Sequence, residues 1–257
     1  MGRQAGAELA TIRRFEGAGF RAWPAASVHY DGTWAIRLTA GHPARRLNSV
    51  NPLDPGDDHH LEERIARVAQ RFAAYGRPIT FRISPLCAPA ISRHLDEKGW
   101  QAAGHSLVMR LPLDEGNAGR AMDQIPLKDL NRFVSAAFEV HGYEEALRPG
   151  FAEVVKSIKP NAGLFILEHE GAPVATAICV HDGQLAGLFE VATAQAQRGK
   201  GFGRRMLLSA LKWAYARGAR QAWLQVEADN APALGLYRSL GFCEVYGYHY
   251  RQPAERE

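Results

Sequence analysis

The chain predicts an α/β protein whose plan is laid down twice. Three observations carry that expectation: a glycine-rich run between a strand-like and a helix-like stretch, apolar residues at spacings of two and of three to four in alternating segments, and those apolar patterns with their helix-ending glycines repeated 142 residues upstream.

The glycine-rich run is Gln197-Arg198-Gly199-Lys200-Gly201-Phe202-Gly203-Arg204, between Leu185–Val191 and the helical pattern Arg204–Arg217. Glycines at alternate positions let main-chain N–H groups approach a ligand with no Cβ in the way, and a following helix adds its partial positive charge. Arg198, Lys200, Arg204 and Arg205 strengthen that field. The run therefore predicts a phosphate cradle. Its spacing excludes two familiar forms. Lys200 precedes Gly201 rather than Ser or Thr, so it is no P-loop. The third glycine of a dinucleotide fingerprint would fall at Arg204 or Met206.

In chain order, a helix is expected over 7–18 and a hairpin turning at Asp31-Gly32. Leu61, Ile65, Val68 and Phe72 mark a helical face that Gly76 ends, with Asp57 or Asp58 as its N-cap. Ile79–Ile83 alternates as a strand, and Leu95 precedes Gly99-Trp100. The stretch 113–120 has glycine, asparagine and charge but no apolar period, and reads as a linker between domains 1–112 and 121–257. Beyond it come a helix over 127–139 and strands over 163–168, 173–181 and 185–191. Met206, Leu207, Ala210, Leu211 and Ala214 share one helical face that stops at Gly218, and Ala222–Val226 is a strand. Asn230-Ala231 to Leu236-Tyr237 then leads to Gly241-Phe242, and Tyr246, Tyr248 and Tyr250 alternate onto one face of a last strand, to shape a pocket or to pack.

Gly76 and Gly218, like Gly99 and Gly241, lie 142 residues apart, and the same offset sets Phe81 on Trp223. It also sets Gly199 and Lys200 on Asp57 and Asp58, Asn230 on Ala88 and Tyr237 on Leu95. Two carboxylates would repel phosphates. The N-terminal copy is thus expected to be degenerate and non-catalytic.

Arg198, Gly201 and Gly203 as Arg-x-x-Gly-x-Gly, followed by the Asn230, Ala231, Leu236-Tyr237 and Gly241-Phe242 signature, resemble the GNAT superfamily of acyl-CoA N-acyltransferases. The resemblance implies that family's mixed-sheet fold, in tandem, with acetyl-CoA as cosubstrate and an amine as acceptor. It implies main-chain contacts from Val191, Ala192 and Thr193 to the pantetheine arm, and a pyrophosphate site on Arg198, Gly199, Lys200, Gly201, Phe202, Gly203 and Arg204. Asn230 becomes a polar contact to the cosubstrate, and Tyr237 the proton donor to the departing thiolate. Glu190, Glu227 and His181 are candidates for the group that takes the amine's proton. Gln225 stands where ribosomal-protein alanine acetyltransferases carry a Glu, which counts against protein N-terminal acetylation by that route.

Composition narrows the partners. With 46% hydrophobic and 23% charged residues over 257 positions, and no apolar run near the ~20 residues of a membrane span, a cytoplasmic protein is expected. Cys87, Cys179 and Cys243 are too few and too scattered for a disulfide framework, and His59-His60 lacks the further ligands of a metal site. The net charge of +4 suits a polyphosphate cosubstrate as well as nucleic acid, and no nucleic acid is expected. Oligomeric state stays open, with a homodimer among the options. A small-molecule acetyltransferase leads, beside a protein acetyltransferase, a non-catalytic acyl-CoA-binding module and a transferase using charged tRNA.

Overall fold

The computed structural model describes residues 2–118 and 125–254, with side chains from Glu8 onward. Two compact units emerge, and they do not follow chain order. The first holds the chain up to Val108, Glu227–Asp229 and the strand from Val245 on; the second holds Met109–Val226 and Asn230–Glu244.

The N-terminal elements are α1 (Gly2–Ala22), β1 (Ser27–Asp31), β2 (Trp34–Leu38), β3 (Ser49–Pro52), α2 (Leu61–Ala74), β4 (Phe81–Ile83), α3 (Pro89–Glu97) and β5 (Gln101–Pro112). The C-terminal ones are α4 (Glu115–Ala118), α5 (Leu130–His141), α6 (Arg148–Lys156), β6 (Asn161–His169), β7 (Ala172–Asp182), β8 (Leu185–Thr193), α7 (Phe202–Ala216), β9 (Gln221–Glu227), α8 (Ala231–Ser239) and β10 (Cys243–Gln252). The 142-residue offset recurs in the element bounds. Pro89–Glu97 and Ala231–Ser239 differ by 142 at both ends, α2 and α7 both stop at residues 142 apart, and so β5 and β10 begin.

In the first unit, β1, β2 and β3 pair antiparallel, and β3 meets β4 in parallel at Val50 and Phe81. Period-2 alternation puts Trp34, Ile36, Leu38, Val50, Phe81 and Ile83 on one face, packed with Val68 and Phe72 of α2 and Ile91 and Leu95 of α3. The other face is polar. Arg37, Ser49, Asn51 and Arg82 are all buried there, and Glu16 of α1 accepts at 2.6 Å from both Arg82 Nη2 and the Tyr246 hydroxyl. β10 pairs antiparallel with β4, Tyr250 opposite Arg82, and Arg82 lies 3.5 Å from the Tyr248 ring centroid. Of the two roles open to Tyr246, Tyr248 and Tyr250, they take packing, buried in the first unit. Burial removes water from the Tyr246 hydroxyl and holds it protonated.

In the second unit the strand order is the end of β5, then β9, β8, β7 and β6. β6, β7 and β8 pair antiparallel, while β8 and β9 run parallel only from Leu185–Gln221 to Leu188–Leu224. The end of β5, from Met109, thus belongs to the second unit, and β10 from Val245 on to the first. Part of the expected linker is helical: Asp114 and Asn117 cap each other's backbone N–H, and α4 packs its Ala118 away from solvent. Gly119 and Arg120 lie outside the described residues.

Candidate active site

The glycine-rich loop enters α7 through a 3-10 turn, Gln195–Gln197, and an extended Arg198. Gly199 and Gly201 have φ of 78° and 82°, a left-handed conformation that other residues adopt at a cost. A Cβ on either would meet no protein atom within 4 Å, so the loop turns bare backbone outward. Gly201 is the helix N-cap and no side chain caps it; the first helical bond runs from Arg205 N to Gly201 O. The N–H groups of Phe202, Gly203 and Arg204 are then the unspent donors of the first turn. These features fit a pyrophosphate. Exposed Arg198, Lys200 and Arg204 surround them, tethered to the Thr193 carbonyl at 3.3 Å, Gln197 Oε1 at 2.8 Å and Ser239 Oγ at 3.1 Å.

Two of the predicted loop residues have a different structural reason. A Cβ at Gly203 would stand 2.9 Å from Thr193 Oγ1 and 3.5 Å from Leu236 Cδ2, so this glycine lets α7 approach β8 and α8. The Phe202 ring is buried against His169, with ring centroids 5.0 Å apart. Only their backbone groups remain for a ligand.

Beyond Leu188, β8 has no ladder partner in β9, and its other edge carries a bulge. Thr176 pairs with Ala192 and Ile178 with Phe189, so Glu190 and Val191 face a single residue, Ala177. Glu190 takes the distortion with φ of 49°. Its carboxylate is 14% exposed and accepts from the Tyr143 hydroxyl at 2.8 Å, with His141 Nε2 at 3.8 Å from the same oxygen. Its carbonyl accepts from Thr176 Oγ1 at 3.4 Å. His141 and Tyr143, stacked 4.5 Å apart, escaped sequence reasoning. The available signal was Gly142 between them, since a helix-ending glycine folds the next residue back over the last turn.

Tyr237 lies on α8 and is 7% exposed, its ring 5.9 Å from Phe242. Burial pushes its hydroxyl up to about 12, so it keeps its proton at neutral pH. Among the described residues that hydroxyl has no hydrogen-bond partner. Asn230 spends its side-chain oxygen as the N-cap of α8, accepting from Ala233 N at 3.1 Å, which leaves its amide NH2 for a ligand. Glu227 ends β9, is exposed and belongs to the first unit. His181 pairs with Ala186, toward the start of β8 and away from the bulge. Val191, Ala192 and Thr193 are half-buried on the free part of β8.

The counterpart loop before α2 is closed. Its N-cap is His60, not Asp57 or Asp58. Asp57 instead accepts from Thr33 N at 2.8 Å, Thr33 Oγ1 at 2.7 Å and the buried Arg64 guanidinium at 2.7 and 3.1 Å. The Arg64 hydrogen bond holds the Asp57 carboxyl far below the usual carboxylate range. Among the described residues no three His, Cys, Asp or Glu side chains form a metal cluster, and no helix is long and apolar enough to cross a membrane.

The chain has relatives among known proteins along most of its length. Over 251 residues the chain is 27% identical to "Uncharacterized N-acetyltransferase YobR" of Bacillus subtilis (strain 168), covering 93% of this chain and 98% of that one. A shorter match of 90 residues, 37% identical, covers 29% of this chain and 48% of "Streptothricin acetyltransferase" of Streptomyces lavendulae. The solved structure of a "Tandem GNAT protein from the clavulanic acid biosynthesis pathway" superimposes with a TM-score of 0.65 at 14% identity, over 94% of this chain and 88% of that one. The family model described as "Probable histone acetyltransferase Rv0428c C-terminal" matches residues 9–251. The chain belongs to that family and so to the GNAT-type acetyltransferases, enzymes that move an acyl group from an acyl-CoA to an acceptor.

Proposed function

We propose that the protein is an acetyl-CoA-dependent N-acetyltransferase acting on a primary amine of a small molecule, with its chemistry confined to the C-terminal copy (121–257). The carrying observation is the outward-facing backbone at Gly199 and Gly201, beside the part of β8 that β9 leaves unpaired. The first-turn N–H groups and Arg198, Lys200 and Arg204 hold the pyrophosphate. Main-chain groups of Val191, Ala192 and Thr193 bind the pantetheine arm as an added strand would. Asn230 supports the cosubstrate through its amide NH2.

An alkyl ammonium with pKa near ~10.4 must lose a proton before it attacks. Glu190 accepts that proton, the amine nitrogen bonds to the thioester carbon, and the carbon–sulfur bond breaks. Tyr237 gives its proton to the leaving sulfur. The nitrogen sheds its second proton as the amide forms, and that proton returns Tyr237 to its neutral form through water; Glu190 releases its own to water, so the sum is amide, free thiol and one proton. Positioning and electrostatics supply the remaining acceleration. The short match to streptothricin acetyltransferase supports a small-molecule acceptor. The description of the matching family supports a second reading, a protein amine. The N-terminal copy (1–112) serves as a degenerate partner that binds no acyl-CoA.

The test is release of free thiol from acetyl-CoA across a panel of small amines, aminoglycoside-like polyamines and basic peptides. Thiol release with small amines is expected. Turnover with peptides alone would move the assignment to the second reading, and tight acetyl-CoA binding without any turnover would reduce the protein to a binding module.

A further inference from the structure

We infer that Tyr143 and His141 are positioning residues for Glu190, a clamp that fixes one oxygen of its carboxylate and gives the other to the acceptor amine; this rests on the function proposed above. The clamp is built from both sides. A glutamate at φ of 49° persists only where its surroundings over-determine it, and Glu190 is held at its carbonyl by Thr176 and at Oε2 by Tyr143. His141 Nε2 reaches both groups, 3.4 Å from the carbonyl oxygen and 3.8 Å from Oε2.

The clamp is braced by its own turn and by neighbouring rings. Gly142 ends α5 with φ of 70°, and the N–H groups of Gly142 and Tyr143 both bond the Phe138 carbonyl, at 2.9 and 3.2 Å. That reversal sets the Tyr143 ring 5.5 Å from Phe138 and 6.1 Å from Phe151, while His141 stacks on its other side. From there the Tyr143 hydroxyl donates to Glu190 Oε2. With Oε2 so engaged, Oε1 is the oxygen that meets the ammonium. Tyr143 acts through Glu190 and does not itself exchange a proton with the substrate.

The experiment is a double-mutant cycle of Tyr143→Phe and Glu190→Gln in the full chain, measured with acetyl-CoA and the amine turned over best by the native protein. Tyr143→Phe should lower kcat about 10-fold, as a lost charge-assisted hydrogen bond of ~1.5 kcal/mol implies, and leave the KM for acetyl-CoA unchanged. In the Glu190→Gln background the same change should do nothing further. His141→Gln, which keeps a donor near Oε2, should retain more activity than His141→Leu. Equal losses with and without the Glu190 carboxylate, or no loss from Tyr143→Phe, would overturn the clamp. If the native protein turns over no amine, the functional reading fails separately, and the same cycle is read from urea unfolding. Non-additive midpoints would then uphold the clamp, and additive ones would overturn it.

Discussion

The loops that lead into α2 and α7 occupy matching places in two runs of the same element order, and they spend their hydrogen-bonding capacity in opposite directions. Before α2, Asp57 turns inward and satisfies Thr33 and Arg64, whose guanidinium also reaches Asp31 and lies 3.9 Å from the Trp34 ring centroid. Before α7, two left-handed glycines turn backbone outward under exposed cations. One loop is an internal ion-pair network, and the other leaves its backbone donors facing outward. The difference teaches that a helix N-terminus becomes a site only when its donors are left uncommitted.

The most drastic test of that contrast is to separate the copies. A fragment beginning at Gly119 looks like a complete C-terminal domain in the sequence, but it lacks the end of β5 that neighbours β9 in the second unit. It would also carry β10 without its partner β4. We expect no cooperative thermal unfolding of this fragment by calorimetry. A fragment that melts cooperatively and binds acetyl-CoA would show that the copies are independent after all.

Next in size is Tyr237→Phe, since Leu95 holds the matching place in the N-terminal copy. Phe keeps the ring against Phe242 and removes only the hydroxyl, so turnover should fall about 10²-fold while the KM for acetyl-CoA stays close to native. Near-normal turnover, with chemistry shown to limit the rate, would make Tyr237 a packing residue.

A smaller effect is expected at the loop. Gly201→Val forces a branched residue into a left-handed conformation, ~1–2 kcal/mol, and stands its side chain on the open face. Calorimetric titration should show one acetyl-CoA per chain for the native protein and binding about 10-fold weaker or worse for the variant. Two equivalent sites per chain would end the contrast between the loops.

Much of this was readable in the residues themselves. The glycine spacing, the Asn230 to Tyr237 signature and the helix-ending glycines are local signals, and the element order of the second copy follows from them. What stayed hidden depends on contacts distant in sequence. Tyr246, Tyr248 and Tyr250 alternate as an acceptor-lining strand would, but their burial with Glu16 is a pairing across 230 positions for Tyr246. The Glu190 bulge has no local signature, because a Glu carries none of glycine's freedom at positive φ. Gly203 could not be told from its neighbours either, as only the tertiary approach of Thr193 assigns it to packing.

The last test weighs the closed loop by itself, through Asp57→Asn. Asparagine keeps the shape of the side chain but removes the charge that Arg64 faces and one of the two acceptor oxygens, so the loss should be ~1.5–3 kcal/mol at neutral pH. Arg64 is 5% exposed, and Asp31 still pairs with it, which holds the loss to that range rather than that of a fully orphaned buried charge. Because the native carboxyl titrates below its unfolded value of ~3.9, its contribution is complete above that pH and fades as pH falls toward the folded value. Urea unfolding at pH 7, 5 and 3 should therefore show a constant gap between native protein and variant at the two higher values and a narrower one at pH 3. Turnover, measured where both proteins are folded, should be unchanged, since the proposed function places no cosubstrate on this loop. An undiminished gap at pH 3 would mean that the charge on Asp57 contributes nothing, and reduced acetyl-CoA binding by the variant would mean that the first loop is not the closed one.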